Sequence, residues 1–190
     1  MLSRVVSCCV FLAFCLPGLV CAQDARLAKG EVVIKTTEIK GEDIPKVVAK
    51  AVIKAPMEKV WALIEKCENY EKTMLNLKSA KELSRKGNAV RCATVIDLPW
   101  PMSDLTAVTD AVHTIKPGQS YQRSWKLVKG DFDFNNGSWK LTPFKGDATK
   151  TLLVYSVHVK PHTSVPDSVK SAAQKKSLPD LFEHLRKQLE

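Results

Sequence analysis

Asp104, Asp110, His113 and Tyr155 are the residues of this 190-residue chain whose types could assemble acid–base chemistry. They lie in or beside two alternating apolar–polar stretches, and a sheet that curls could bring them together as proton donor and acceptor. Most sheets contain such residues, so their types alone assign no reaction. His158 and His162 are four apart, a metal-binding spacing on a helix, but here they flank Pro161 at the end of a strand-like run. That geometry does not put both on one face, and surface histidines are expected. Cys67 and Cys92 could serve as nucleophiles, yet neither has a partner nearby in sequence. No G-x-S-x-G elbow, P-loop or G-x-G-x-x-G run occurs. Asn136-Gly137-Ser138 matches a glycosylation sequon, but Asn-Gly already reads as a hairpin turn. No catalytic residue, metal ligand or cofactor is therefore assigned.

The chain does carry aromatic bulk beyond ordinary strand needs: Trp100, Trp125, Trp139, Phe144, Tyr155 and Phe182. These side chains either fill a core or line a ligand volume. The elements that position them follow from periodicity. Glu31 to Ile39 and Lys46 to Lys54 alternate and are rich in valine and isoleucine, which predicts strands. In the second, Val47, Ala49, Ala51 and Ile53 share one face. Ala55-Pro56 ends that strand and opens a helix, with Met57, Val60, Trp61 and Ile64 at helical spacing and Glu58 in its first turn. A second short helix is expected through Met74.

Strands then follow in succession: Leu77 to Leu83, Ala89 to Leu98, Leu105 to Ile115, Tyr121 to Val128, Asp131 to Phe134, Ser138 to Phe144 and Thr151 to Val159. Short turns at Arg85-Lys86-Gly87-Asn88, Pro117-Gly118, Asn135-Asn136-Gly137 and Lys145-Gly146-Asp147 predict an antiparallel meander. From Val165 the apolar positions recur at helical spacing through Leu181, Phe182, Leu185 and Leu189, with a kink expected near Pro179. The plan is α+β, a curled antiparallel sheet with a long amphipathic helix available to fill its concavity.

Residues 1–22 have the pattern of a signal peptide: Arg4, an apolar run from Val5 to Leu16, then Pro17-Gly18 and small or modest side chains in Val20-Cys21-Ala22. Cleavage before Gln23 would take 22 of the 190 residues and leave 168, one domain spanning residues 23–190. The protein is thus expected to be secreted or periplasmic. Gln23 to Gly30 reads as a polar lead-in. The mature chain has 28 basic and 20 acidic residues, a net charge of +8. The lysines are scattered, so anionic membrane is the expected charged partner and nucleic acid is not. A monomer is expected. Cys8, Cys9, Cys15 and Cys21 lie in the leader, leaving only Cys67 and Cys92, either bridged or buried as free thiols.

Several segments together resemble the START-related superfamily, whose fold is called helix-grip and which includes polyketide cyclase and coenzyme Q-binding relatives. Val48 to Trp61 is similar to the family's first long strand running into AP-x-E-x-V, with Met57 where proline is common. Leu98-Pro99-Trp100-Pro101-Met102-Ser103-Asp104 is close to PWPxSDRD, but Leu105 and Thr106 stand where Arg-Asp would follow. Gly137 to Pro143 resembles GxWxLxP. The resemblance implies a cavity for one hydrophobic molecule, such as a lipid, sterol, quinone or polyketide. It would be lined by Ile96, Trp100, Trp125 and Tyr155 and lidded by Leu181, Phe182 and Leu185. The missing arginine implies a more apolar ligand. In this fold Cys67 would lie near the inward face carrying Cys92, which makes a bridge between them the expectation. A non-enzymatic carrier is the expected function. The alternatives are a cyclase- or hydrolase-like enzyme on the same fold, or an interaction domain with a filled cavity.

Overall fold

A computed structural model describes residues 17–42, 44–163, 166 and 176–189. The expected leader up to residue 16, and most of the segment after Val165 read as helical, lie outside the described residues. Eight strands form one sheet: β1 (Val33–Thr37), β2 (Lys46–Ile53), β3 (Leu77–Lys86), β4 (Ala89–Ile96), β5 (Leu105–Lys116), β6 (Ser120–Gly130), β7 (Phe132–Phe144) and β8 (Asp147–Pro161). Their order is β1-β2-β8-β7-β6-β5-β4-β3, with every neighbouring pair antiparallel. Side chains alternate across a pleated strand, so one face of each strand points into the concavity. Ala49, Ala51 and Ile53 of β2 are fully buried there, as are Ala107, Ala111 and His113 of β5.

Two helices fill the concavity. Helix α2 (Met57–Ile64) starts after Pro56, carries Glu58 in its first turn and buries Met57, Val60, Trp61 and Ile64, the stripe its spacing predicts. A 3-10 turn (Cys67–Asn69) and the single-turn helix α3 (Tyr70–Thr73) lead into β3. The C-terminal helix α4 (Leu178–Lys187) buries Leu181, Phe182 and Leu185 against the sheet. Pro179 lies in its first turn, directly after a wider, π-type helical turn at residues 176–177, and the segment at 167–175 on the far side of the expected kink lies outside the described residues. Arg186, a charged residue on the same helix, is buried as well. Its Nε and Nη2 donate to the Val52 carbonyl at 3.2 and 2.9 Å, pinning α4 to β2.

Two local expectations are corrected. Gln23 to Ala28 belongs to a helix, α1 (Pro17–Ala28), and not to a polar lead-in. Its Leu27 is 2 % exposed because it packs on the convex face with Val33, Val52 and Phe144. Asn135-Asn136-Gly137 is not a turn but lies inside the continuous strand β7. The hairpin instead turns at Gly130, whose φ of 140° and a would-be Cβ 2.2 Å from the Thr106 carbonyl oxygen exclude other side chains. Asp131 fastens that turn, accepting from the backbone N–H and hydroxyl of Thr106, both at 2.7 Å.

Candidate functional site: a cavity under the C-terminal helix

Between the concave sheet face and α4 lies a cavity of about 630 Å³. Its walls are mostly apolar, with Ile96 at the end of β4 and Leu98 just beyond it, Leu105 of β5, Phe132 of β7, Val157 and Val159 of β8, and Leu181 of α4. The inward alternation of four strands delivers these groups to one volume. Polar groups are fewer: Tyr70, Asn76, Thr94, Thr109, Arg123, Asn135, Tyr155 and Ser177.

An aromatic shelf runs along one side. Tyr155 stacks on Trp125 at 6.0 Å between ring centres and lies 4.2 Å from Trp139. Trp139 in turn meets Phe182 edge-on at 6.3 Å. Trp125 donates from Nε1 to Asn135 Oδ1 at 3.0 Å, which fixes the indole. Gly137 explains how the ring fits: a Cβ there would lie 2.2 Å from Trp125 Cζ2. The β6–β7 ladder ends at this Trp125–Gly137 pair, and beyond it β6 pairs with β5 and β7 with β8. Burial holds the Tyr155 phenol well above its usual range, so the shelf stays uncharged.

At the other end, Arg123 projects inward from β6 and is 2 % exposed. Its Nη1 donates to the Glu65 carbonyl at 3.0 Å and to His113 Nε2 at 2.7 Å. A guanidinium can only donate, so His113 accepts at Nε2 and is the neutral imidazole. Burial, then Arg123 and Arg85, push the His113 pKa down to about 4, against a smaller opposing effect of Glu82. Nη2 reaches Cys92 Sγ at 2.9 Å and Cys67 Sγ at 3.4 Å. These two cysteines are joined as a disulfide, with Cα atoms 6.1 Å apart, which ties the 3-10 turn to β4. The guanidinium also lies 5.4 Å from the centre of the Tyr70 ring.

The expected lining residues divide. Ile96, Trp125, Tyr155 and Leu181 border the cavity. Phe182 and Leu185 are fully buried in the packed core beneath α4, so they hold the helix down instead of facing empty space. Trp100 is 92 % exposed. It sits between two prolines in the loop joining β4 to β5, a segment with no partner strand to turn it inward. The four candidate acid–base residues do not converge. Asp104 pairs with Lys78 at 2.7 Å, and Asp110 makes a two-pronged pair with Arg91 on the convex face, both bonds 2.7 Å. His113 lies beneath α2, edge-on to Trp61 at 5.0 Å, while Tyr155 lines the cavity. His158 contacts the Ile44 carbonyl at 2.9 Å and His162 lies 3.5 Å from Asp133. Among the described residues no cluster of His, Cys, Asp and Glu could hold a metal, and no helix is long and apolar enough to cross a membrane. Sequence reasoning missed Arg123, although it shares a strand parity with Tyr121 and Trp125.

A curled antiparallel sheet gripping a C-terminal helix over an apolar cavity is the START helix-grip fold. The chain belongs to the polyketide cyclase / dehydrase and lipid transport family, whose sequence profile matches residues 53–186. No curated protein matches the sequence. Solved structures share the fold at low identity. The STAR-related lipid transfer protein of Xanthomonas axonopodis is 16% identical with a TM-score of 0.71, over 83% of this chain and 92% of that one. Human StAR-related lipid transfer protein 5 is 13% identical with a TM-score of 0.72, over 90% and 97% of the two chains. The Zhui aromatase/cyclase of a Streptomyces strain is 14% identical with a TM-score of 0.57, over 75% and 92%.

Proposed function

We propose that this protein is an exported, non-enzymatic carrier that holds one hydrophobic small molecule, of the lipid, sterol, quinone or polyketide kind, in the concave cavity. The observation that carries the reading is the cavity itself: about 630 Å³, walled mainly by apolar side chains, with only a few polar groups for orientation. That size and lining suit a small-molecule site. Membership of a family that includes lipid transport supports it, as does the shared fold of two relatives named as lipid transfer proteins. Asp104, Asp110 and His113 are each committed elsewhere in the fold, which favours binding over acid–base turnover. Export rests on the leader-like residues 1–22, with cleavage before Gln23 and release to a secreted or periplasmic location. The basic mature chain would dock on anionic membrane as a monomer to load and unload its cargo.

The test is native mass spectrometry of mature protein purified from its host, with extraction and identification of bound lipid. A titration with a fluorescent apolar probe accompanies it. Wild type should take up one probe molecule, and Ile96→Trp, which fills the cavity, should abolish uptake while the melting temperature is retained. If wild type neither carries a lipid nor binds the probe, an interaction domain becomes the better account. N-terminal sequencing should begin at Gln23; a retained Met1 or an acylated Cys21 would end the export reading.

A further inference from the structure

We infer that the molecule held in this cavity carries one anionic head group, a carboxylate or a phosphate, seated against Arg123; the inference rests on the carrier reading above. Arg123 borders the cavity from the concave face of β6, with almost none of its surface open to solvent. Every group that touches its guanidinium is uncharged: a backbone carbonyl, a neutral imidazole, two disulfide sulfurs and the face of Tyr70. Among the described residues no carboxylate forms an ion pair with it. The acids on neighbouring elements are already committed. Glu82 is gripped by Arg85 at 2.6 and 2.9 Å, Asp110 by Arg91, and Glu58 accepts from the Tyr121 hydroxyl at 2.9 Å. His113 cannot supply negative charge, and its low proton affinity is itself a mark of the positive field around it.

A charge taken out of water is offset only by an opposite charge or by a full set of hydrogen bonds. Among the described residues the protein supplies acceptors for Nη1 and Nη2 but no carboxylate in contact, and Glu82, the acid whose carboxyl feels Arg123 through space, is held by Arg85. An acidic head group brought by the ligand would supply that contact. The cavity also has the polarity gradient such an amphiphile requires. Arg123, Cys92 and Tyr70 stand at one end, and Ile96, Leu105, Phe132 and Val159 at the other. Cys92 and Ile96 are four residues apart on β4, about 13 Å of extended strand, which leaves room for a hydrocarbon tail lying along the sheet.

Parinaric acid, a fluorescent polyene fatty acid, and its uncharged methyl ester test the inference on mature wild-type protein at pH 8. The acid should bind about tenfold or more tightly than the ester, the range for a charge-assisted hydrogen bond. Arg123→Met should bring the acid's affinity down to that of the ester. Palmitate or hexadecyl phosphate should displace parinarate and hexadecanol should not; whichever anion competes more strongly names the head group. Equal wild-type affinity for acid and ester overturns the inference while the carrier reading stands, and this comparison needs no variant to fold. If neither probe binds, the carrier reading falls and takes the inference with it.

Discussion

Acid should weaken this fold through one histidine. His113 is 4 % exposed and accepts a hydrogen bond from Arg123 at 2.7 Å, so protonating it would place two positive charges side by side without water. Its pKa falls from 6.5 to about 4 in the folded state, first through burial and then through Arg123 and Arg85. Above pH 6.5 the ring is neutral in both folded and unfolded chains and contributes nothing to the pH dependence. Between 6.5 and 4 the unfolded chain takes up a proton that the folded one refuses, so stability drops as pH falls, by about 1.4 kcal/mol per pH unit. The accumulated loss at pH 4 is about 3 kcal/mol. Urea unfolding of wild type and His113→Gln between pH 7 and pH 4 measures it. Glutamine keeps an acceptor for Arg123 and does not titrate, while the acid-sensitive ion pairs of Glu82 and Asp110 are common to both proteins. The stability difference between the two should shift by about 3 kcal/mol across that range, in favour of the variant at low pH. Parallel curves would refute the buried, neutral histidine and with it the geometry drawn around Arg123.

The grip of α4 predicts that Leu185→Asp, which puts a charge at a fully buried position, costs several kcal/mol or prevents folding; a variant that melts like its parent would show that α4 is not held on the sheet. The Cys67–Cys92 bridge spans 25 residues, so replacing both cysteines by serine should lower stability by roughly 3 kcal/mol. Two free thiols in denatured, unreduced mature protein would reject the bridge. Gly137→Ala would set a methyl 2.2 Å from Trp125 Cζ2 and 2.6 Å from the Ser156 carbonyl oxygen. It should destabilise by about 1–3 kcal/mol and alter the near-ultraviolet circular dichroism, and a silent substitution would mean the indole does not lie over Gly137.

Most of the architecture is legible in the chain because it follows from local chemistry. The alternation in β2 and β5 marks strands with one buried face. Gly87, Gly118 and Gly146 sit in turns at positive φ, where a glycine is readily accommodated. The stripe of Leu181, Phe182 and Leu185 identifies the gripped face of α4, since helical spacing reports burial. It cannot report whether a buried residue meets packed neighbours or a void, which is why Phe182 and Leu185 read as lining when they are core. Gly137 misleads for a related reason. Asn-Gly is a turn signal when judged locally, but here the glycine makes room for a ring arriving from β6. Trp100 shows that aromatic bulk alone does not imply burial. Arg123 is the instructive omission. Strand parity already turns it inward, but a lone arginine reads as solvated until the curl of the sheet brings His113, Tyr70 and the disulfide around it.

The indole of Trp125 borders a second volume as well, a groove of about 630 Å³ on the convex side lined by Ser124, Asn136, Ser138 and Ser156. One side chain, set in a gap that Gly137 leaves open, is thus the wall between the interior and the outer surface. That gives the protein an optical reporter of its own. Of its four tryptophans, Trp100 is in solvent, Trp61 is buried in the core, Trp139 is buried and borders the interior cavity only, and Trp125 alone touches both volumes. Replacing the unpacked Trp100 by phenylalanine would remove the solvent-exposed emission. The fluorescence that remains, and its quenching or blue shift, would then register cargo arriving at the aromatic shelf without any attached dye.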